Sequence, residues 1–162
     1  LTVPQKDYLL RQIEMLGELL VAIKKMILGG EAGGAAVESR LREVAEKSGM
    51  DLELARAAAP DTLRLLVAPT GEVEPGRCWI LAESLYLDGI RARLTGDPER
   101  ATDSLMKARM LFSLLAPMGA FLVGYPEAAE RIQEIDGLLS EVERPAGSEA
   151  PGPPADGTDS GL

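Results

Sequence analysis

The chain has no histidine. That removes the commonest general base and the commonest metal ligand from consideration. A single cysteine, Cys78, excludes an intrachain disulfide and a cysteine-based zinc cluster. Aromatic residues make up 4% of the sequence, so the core must be assembled from Leu, Ile, Val, Met and Ala. That palette favours helices over sheets. Basic residues are outnumbered, with Lys+Arg 17 against Asp+Glu 26 and a net charge of −9. A protein that binds a phosphate backbone needs a basic face to displace counterions, so nucleic acid is not an expected partner. The longest uninterrupted apolar run of the first helical segment, Leu19 to Ile23, is far short of a membrane span. No charged n-region followed by an apolar h-region opens the chain, and a cytoplasmic location is the default expectation. No Gly-rich phosphate loop is present either.

What remains is ordinary globular composition, 46% hydrophobic and 27% charged over 162 residues, enough for one sizeable core. Helical periodicity dominates it. Leu9, Ile13, Leu16, Leu20, Ile23 and Ile27 follow a 4-3-4-3-4 spacing and predict a helix over 6–28. Leu10, Met15, Leu19 and Met26 widen its apolar face. Gly17 in its middle suggests a close helix crossing, and Gly29-Gly30 stops it. A second helix is expected from Ala35 to Lys47, and Asp51 caps a short one through Ala58. Pro60 opens another. After a Pro/Gly-containing loop, 68–76, the spacing predicts a helix over 77–94 with Cys78, Leu81, Ala82, Leu85 and Tyr86 inward. Asp97-Pro98 restarts a helix that carries Leu105, Leu111 and Phe112. So short a turn makes these two antiparallel.

Phe121, Leu122 and Val123 are expected to dock on the core, and Pro126 to open a last helix. The organisation expected is therefore an N-terminal extension (1–5), a helical domain (6–143) and a disordered acidic Pro/Gly-rich tail (144–162).

Within Leu85 to Ser113, Gly89, Gly96, Ala101 and Ala108 stand at the separations of small residues in the tetratricopeptide repeat, which this segment resembles. Gly89 and Ala101 would let paired helices approach, Gly96 would permit the turn, and Ala108 would let the next unit pack. Leu85 stands where that repeat usually has Trp, Asp88 where it has Leu, and Ser113 where a proline is usual. Over residues 6 to 143 the order of elements is similar to a bacterial family of tetratricopeptide-like (TPR-like) proteins, a domain of unknown function. The similarity rests on Asp7-Tyr8-Leu9-Leu10-Arg11-Gln12-Ile13-Glu14, on Ala59-Pro60-Asp61-Thr62-Leu63 and on the hairpin. The resemblance implies an all-α fold of antiparallel helical hairpins, a right-handed helical array with an additional C-terminal helix. It implies no activity, cofactor or catalytic residue.

Repeat folds of this kind bind peptides on the concave face built by the first helix of each pair. In this register that face presents Glu83, Tyr86, Leu87, Ile90 and Arg93. Two readings stand: a partner-binding groove, or a surface on which Leu87 and Ile90 simply cover the N-terminal helix. The wide apolar face of helix 6–28 likewise serves intrachain packing, with or without a homodimer seam. Glu127, Glu130 and Glu134 share a helix face that is read as solvated rather than metal-binding, with Arg131 as neighbour. Cys78, flanked by Trp79 and Ile80, reads as a structural thiol. Arg91, Arg93, Arg100, Lys107 and Arg109 interleave with Asp88, Asp97, Glu99 and Asp103, a pattern of helix-surface pairing. The leading expectation is a non-enzymatic module for protein interaction or self-association, with no cofactor or metal. The alternative is a small-ligand binder or enzyme using carboxylate and Arg groups in an interhelical pocket.

Overall fold

A computed structural model describes the backbone of residues 3–119 and 125–143, and the side chains of 10–119 and 125–142. The described residues are all-helical, without a strand. The helices are α1 (Val3–Met26), α2 (Ala35–Lys47), α3 (Leu52–Ala57), α4 (Pro60–Val67), α5 (Pro75–Leu94), α6 (Pro98–Leu115) and α7 (Ala128–Glu143). Helix α1 begins at Val3, inside the expected N-terminal extension, and ends in a wide helical turn, Ile27–Glu31, where Gly30 takes φ 99°. The expected docking of Phe121, Leu122 and Val123 and the expected tail from residue 144 lie outside the described residues.

Local chemistry accounts for the helix starts. The Asp51 carboxylate accepts from the amides of Glu53 (2.9 Å) and Leu54 (3.3 Å), meeting two donors that lack intrahelical partners. Asp97 accepts from the Arg100 amide at 3.2 Å, with Pro98 in the first turn behind it. Gly96, at φ 80°, supplies the left-handed residue that reverses the chain between α5 and α6. Helix α5 starts two residues before the expected Arg77 because Pro75 is in its first turn.

Cross-helix contacts fix the directions. Cys78 meets Leu111, and Asp88 meets Arg100, so α5 and α6 run antiparallel. Glu83–Arg131, Tyr86–Glu134 and Arg93–Glu141 share a constant offset of 48 residues, so α5 and α7 run parallel and in register. Every residue from Cys78 to Ile90 is buried, which makes α5 the central helix, buried on all sides. The sequence pattern had marked only one of those faces, because the other faces include the polar residues Glu83, Ser84 and Asp88.

Two glycines owe their identity to close approach. A Cβ on Gly89 would lie 2.6 Å from Leu105 Cγ and 3.3 Å from the Leu105 amide, so α5 and α6 touch where the small-residue pattern indicated. Gly17 is different: its carbonyl accepts from the Tyr125 hydroxyl, and a Cβ there would meet that oxygen at 2.8 Å. A tyrosine from the segment before α7, not a crossing helix, explains it. The Tyr125 ring is held edge-on to Trp79 at 4.9 Å.

Gly89→Ala is expected to destabilise the fold by about 1–3 kcal/mol, because overpacking against Leu105 outweighs the helix propensity gained, about 1 kcal/mol. A Cβ on Gly137 in α7 would meet no atom of the other described residues within 4 Å beyond its own helix backbone. Gly137→Ala should therefore raise stability by up to ~1 kcal/mol. Urea unfolding of the two variants should give opposite signs; two stabilised variants would refute the close approach.

Candidate functional site

The face expected to receive a partner is occupied by the chain itself. Glu83, Tyr86, Leu87 and Ile90 are buried, and α7 and α1 lie over the polar members. Arg131 from α7 donates through Nε to Glu83 Oε1 (3.0 Å) and through Nη2 to Oε2 (3.1 Å). This is a bidentate pair, with 7% and 3% side-chain exposure. The same guanidinium stacks over the Tyr86 ring, 4.4 Å from its centroid, and donates to Glu134 at 2.9 Å. The Tyr86 hydroxyl donates to Glu134 and accepts from Lys24 Nζ at 3.2 Å. Arg93 remains part-exposed and pairs with Glu141 at the far end of the seam.

Burial pushes the Glu83 carboxyl above its ordinary value, while the Arg131 charge opposes that shift. Burial also raises the Tyr86 hydroxyl, reinforced by its donation to Glu134, and moves Tyr125 up to about 12. Perturbed groups of this kind often mark active sites. Here each is engaged by a partner from the same chain. Glu83, Tyr86, Arg131 and Glu134 form a clamp between helices.

A second cluster joins α2, α3, α5 and α6. Asp88, 1% exposed, accepts from Arg56 Nη2 (2.8 Å), Arg100 Nη2 (3.1 Å) and Ser104 Oγ (3.1 Å). Glu38 accepts from Arg56 (2.7 and 2.9 Å), from Arg91 (2.5 Å) and from Arg42 (2.8 Å). The Arg56 hydrogen bonds hold Glu38 down at about 2 against the cost of its burial. Lys107 is buried as well, donating to the Arg56 and Ala55 carbonyls. The expected surface pairing is thus corrected for Asp88, Arg91 and Arg100, whereas Lys107 also makes the expected pair with Asp103 one turn away, at 3.0 Å. Asp88, Arg91 and Lys107 tie α5 and α6 to α2 and α3, while Arg109–Asp136, at 2.6 Å, and Arg93–Glu141 keep both members exposed. A one-dimensional pattern gives alternation of sign but not which helix supplies the counter-charge.

Cys78 is buried, its thiol directed at the Leu111 carbonyl (3.4 Å), and burial raises it to about 12, an unreactive setting. Among the described residues no group of three His, Cys, Asp or Glu side chains is placed to hold a metal ion. No helix among them is long and apolar enough to cross a membrane.

A cavity of about 560 Å³ lies elsewhere, between α1, the end of α2, the loop before α5 and the first turns of α5. Its apolar wall is Ile13, Leu16, Val73 and Ile80; its polar side carries Glu72, Glu74 and Arg77. Arg77 donates from Nη2 to the Gly49 carbonyl at 3.1 Å and sits 3.6 Å from Glu74, beyond hydrogen-bonding reach. Its Nε is shielded from water without an acceptor, the only buried side-chain N or O atom among the described residues in that position. Such a donor costs about 1–3 kcal/mol. Sequence reasoning had missed this site. Glu74-Pro75 was the available signal, since it moves the start of α5 to the cavity edge.

Comparison with models of known protein families, with curated proteins and with solved structures found no match.

Proposed function

We propose that this protein is a non-enzymatic TPR-like interaction module that associates with a second copy of itself through α1. The supporting observation is one edge of that helix. Leu10 and Val21 of α1 and Leu28 of the wide turn that continues it are exposed at 45%, 42% and 64%, although Leu16, Leu20, Ile23 and Ile27 of the same two elements are buried against the core. At ~100° per residue these three exposed side chains, with Glu14 and Lys25, fall within an arc of roughly 60°. The helix therefore has a second, narrow apolar seam beside the one it buries.

Charge placement along that seam selects the partner. In a two-fold antiparallel pairing centred near residue 19, Leu10 of one copy lies over Leu28 of the other, and Glu14 lies near Lys25. A two-fold interface makes each such contact twice. The clamp at Glu83 and Arg131 counts against the enzymatic alternative, because its groups are already paired.

Light scattering after size exclusion should give twice the chain mass, and the double variant Val21→Glu, Leu28→Glu should give a monomer of unchanged helicity. Lys25→Glu should weaken the dimer, and adding Glu14→Lys should restore it. A wild-type chain that stays monomeric at about 100 μM, far above the Kd of a stable dimer, overturns the proposal.

A further inference from the structure

We propose that the cavity between the turn before α2, the end of α5 and the start of α6 binds a phosphate group, free or carried by a small monoester. It measures about 210 Å³ and is lined by Gly33, Arg91, Ala92, Thr95 and Arg100. Both charged groups in its wall are arginines, in a chain whose net charge is −9.

Those arginines belong to a network with more cations than anions. Arg42, Arg56, Arg91 and Arg100 share only Glu38, Glu53 and Asp88, which leaves one positive charge over. The acceptors decide where it falls. Each oxygen of Glu38 and Asp88 already takes two hydrogen bonds, which fills its lone pairs. Glu53 is bonded to Arg42 and Arg56. The surplus therefore sits at Arg91 and Arg100.

Unused donors remain there. Arg91 spends Nε on the Ala32 carbonyl (2.6 Å) and Nη1 on Glu38 (2.5 Å), and Arg100 spends Nη2 on Asp88 (3.1 Å). Arg91 Nη2 and Arg100 Nε and Nη1 have no acceptor among the described residues. The first is open to water, and the Arg100 side chain is 43% exposed, so a ligand can reach both.

The groups that would repel an anion are turned to other work. Asp97 accepts from the Arg100 amide as the cap of α6, and Glu99 lines a different surface, with Val142 of α7. The Arg91 and Ala92 carbonyls, at the negative end of α5, accept from the amides of Thr95 and Asp97. Three donor nitrogens on two helices call for more than the two coplanar oxygens of a carboxylate, and a phosphate group presents at least three. Sites that enclose a whole drug-sized ligand hold roughly 300–1,000 Å³, so here the phosphate enters and any ester substituent stays outside.

Calorimetric titration of the full chain with inorganic phosphate and with glycerol 3-phosphate, at low salt, tests this. One site with a Kd of about 1 mM or tighter is expected for at least one of them. Binding of the free ion alone assigns the site to inorganic phosphate, and tighter binding of the ester assigns it to a monoester. Arg100→Met should weaken binding about tenfold or more, as loss of charge-assisted donors implies. Gly33→Leu keeps both arginines and obstructs the cavity. A Cβ at Gly33 meets only Thr95 Cγ2, at 3.6 Å, so the helical spectrum should be retained while binding falls by a similar factor. Arg109→Met removes an exposed arginine of α6 outside the cavity and should leave binding unchanged. No heat from either compound at about 10 mM overturns the proposal. So does acetate binding as tightly as phosphate, undiminished binding in Arg100→Met or Gly33→Leu, or an equal loss in Arg109→Met.

Discussion

Arg131→Met is expected to lower the unfolding free energy by about 3–5 kcal/mol, the usual cost of stranding one member of a buried ion pair. The variant leaves Glu83, 2% exposed, without its bidentate partner and removes the cation stacked on Tyr86. Glu83 then becomes a buried acid whose desolvation is opposed by the Lys24 charge alone, so its carboxyl moves further up and its ionisation at neutral pH works against the native state. For that reason the loss should shrink as pH falls toward the ordinary carboxylate range. A double variant, Glu83→Leu with Arg131→Met, should recover most of the stability, since an apolar pair of similar volume replaces a desolvated ionic one. Urea denaturation at pH 7 and pH 5 checks both parts. A loss below about 1 kcal/mol would mean that α7 is not clamped to α5 as described, because exposed pairs contribute no more than that.

The second large effect concerns Arg56, which bridges Glu38, Glu53 and Asp88. Arg56→Met should cost about 3 kcal/mol, because Asp88 keeps only Arg100 and Ser104 in a fully buried position. It also changes the acid limb of the stability curve. Glu38 sits at about 2 in the fold and near 4.5 when unfolded. A depressed folded value means that the stabilisation is present above the unfolded value and is lost as pH falls from about 4.5 toward 2. The difference corresponds to at most roughly 3 kcal/mol. In the variant Glu38 loses its principal donor, its folded value rises toward the unfolded one, and the loss between those pH values becomes shallower. Parallel acid limbs in the two proteins would show that Arg56 is not what holds Glu38 down.

Both predictions rest on residues whose roles were hard to read in one dimension. The helices were easier. Asp51, Pro60 and Asp97-Pro98 mark helix starts through capping chemistry confined to a few neighbouring residues, and the structure places those starts there. Gly89 was legible for a related reason: a glycine inside a strong helical pattern implies that something comes close, and Leu105 does. Gly17 gave the same signal, but nothing local could tell a tyrosine ring from a crossing helix. For the candidate face two readings stood, and the burial of Leu87 and Ile90 fits the one in which they cover a neighbouring helix. Glu83, Tyr86, Leu87, Ile90 and Arg93 do share one side of α5, and that side is packed beneath the chain's own α7 and α1.

Helical character, the positions of most helix starts, and the lack of histidine and of an intrachain disulfide were all legible in one dimension. These follow from composition and from contacts only three or four residues long. Packing between distant helices, by contrast, puts α5 at the centre and Asp88 and Glu83 in the interior. It also decided that Arg56 and Arg131 are their counter-charges, and that a cavity opens beside Arg77. Each depends on which distant helix packs on which face: the Glu83–Arg131 pair spans 48 residues, and the Arg56–Asp88 pair spans 32. Periodicity specifies that a face must be covered, whereas only the packed chain specifies what covers it.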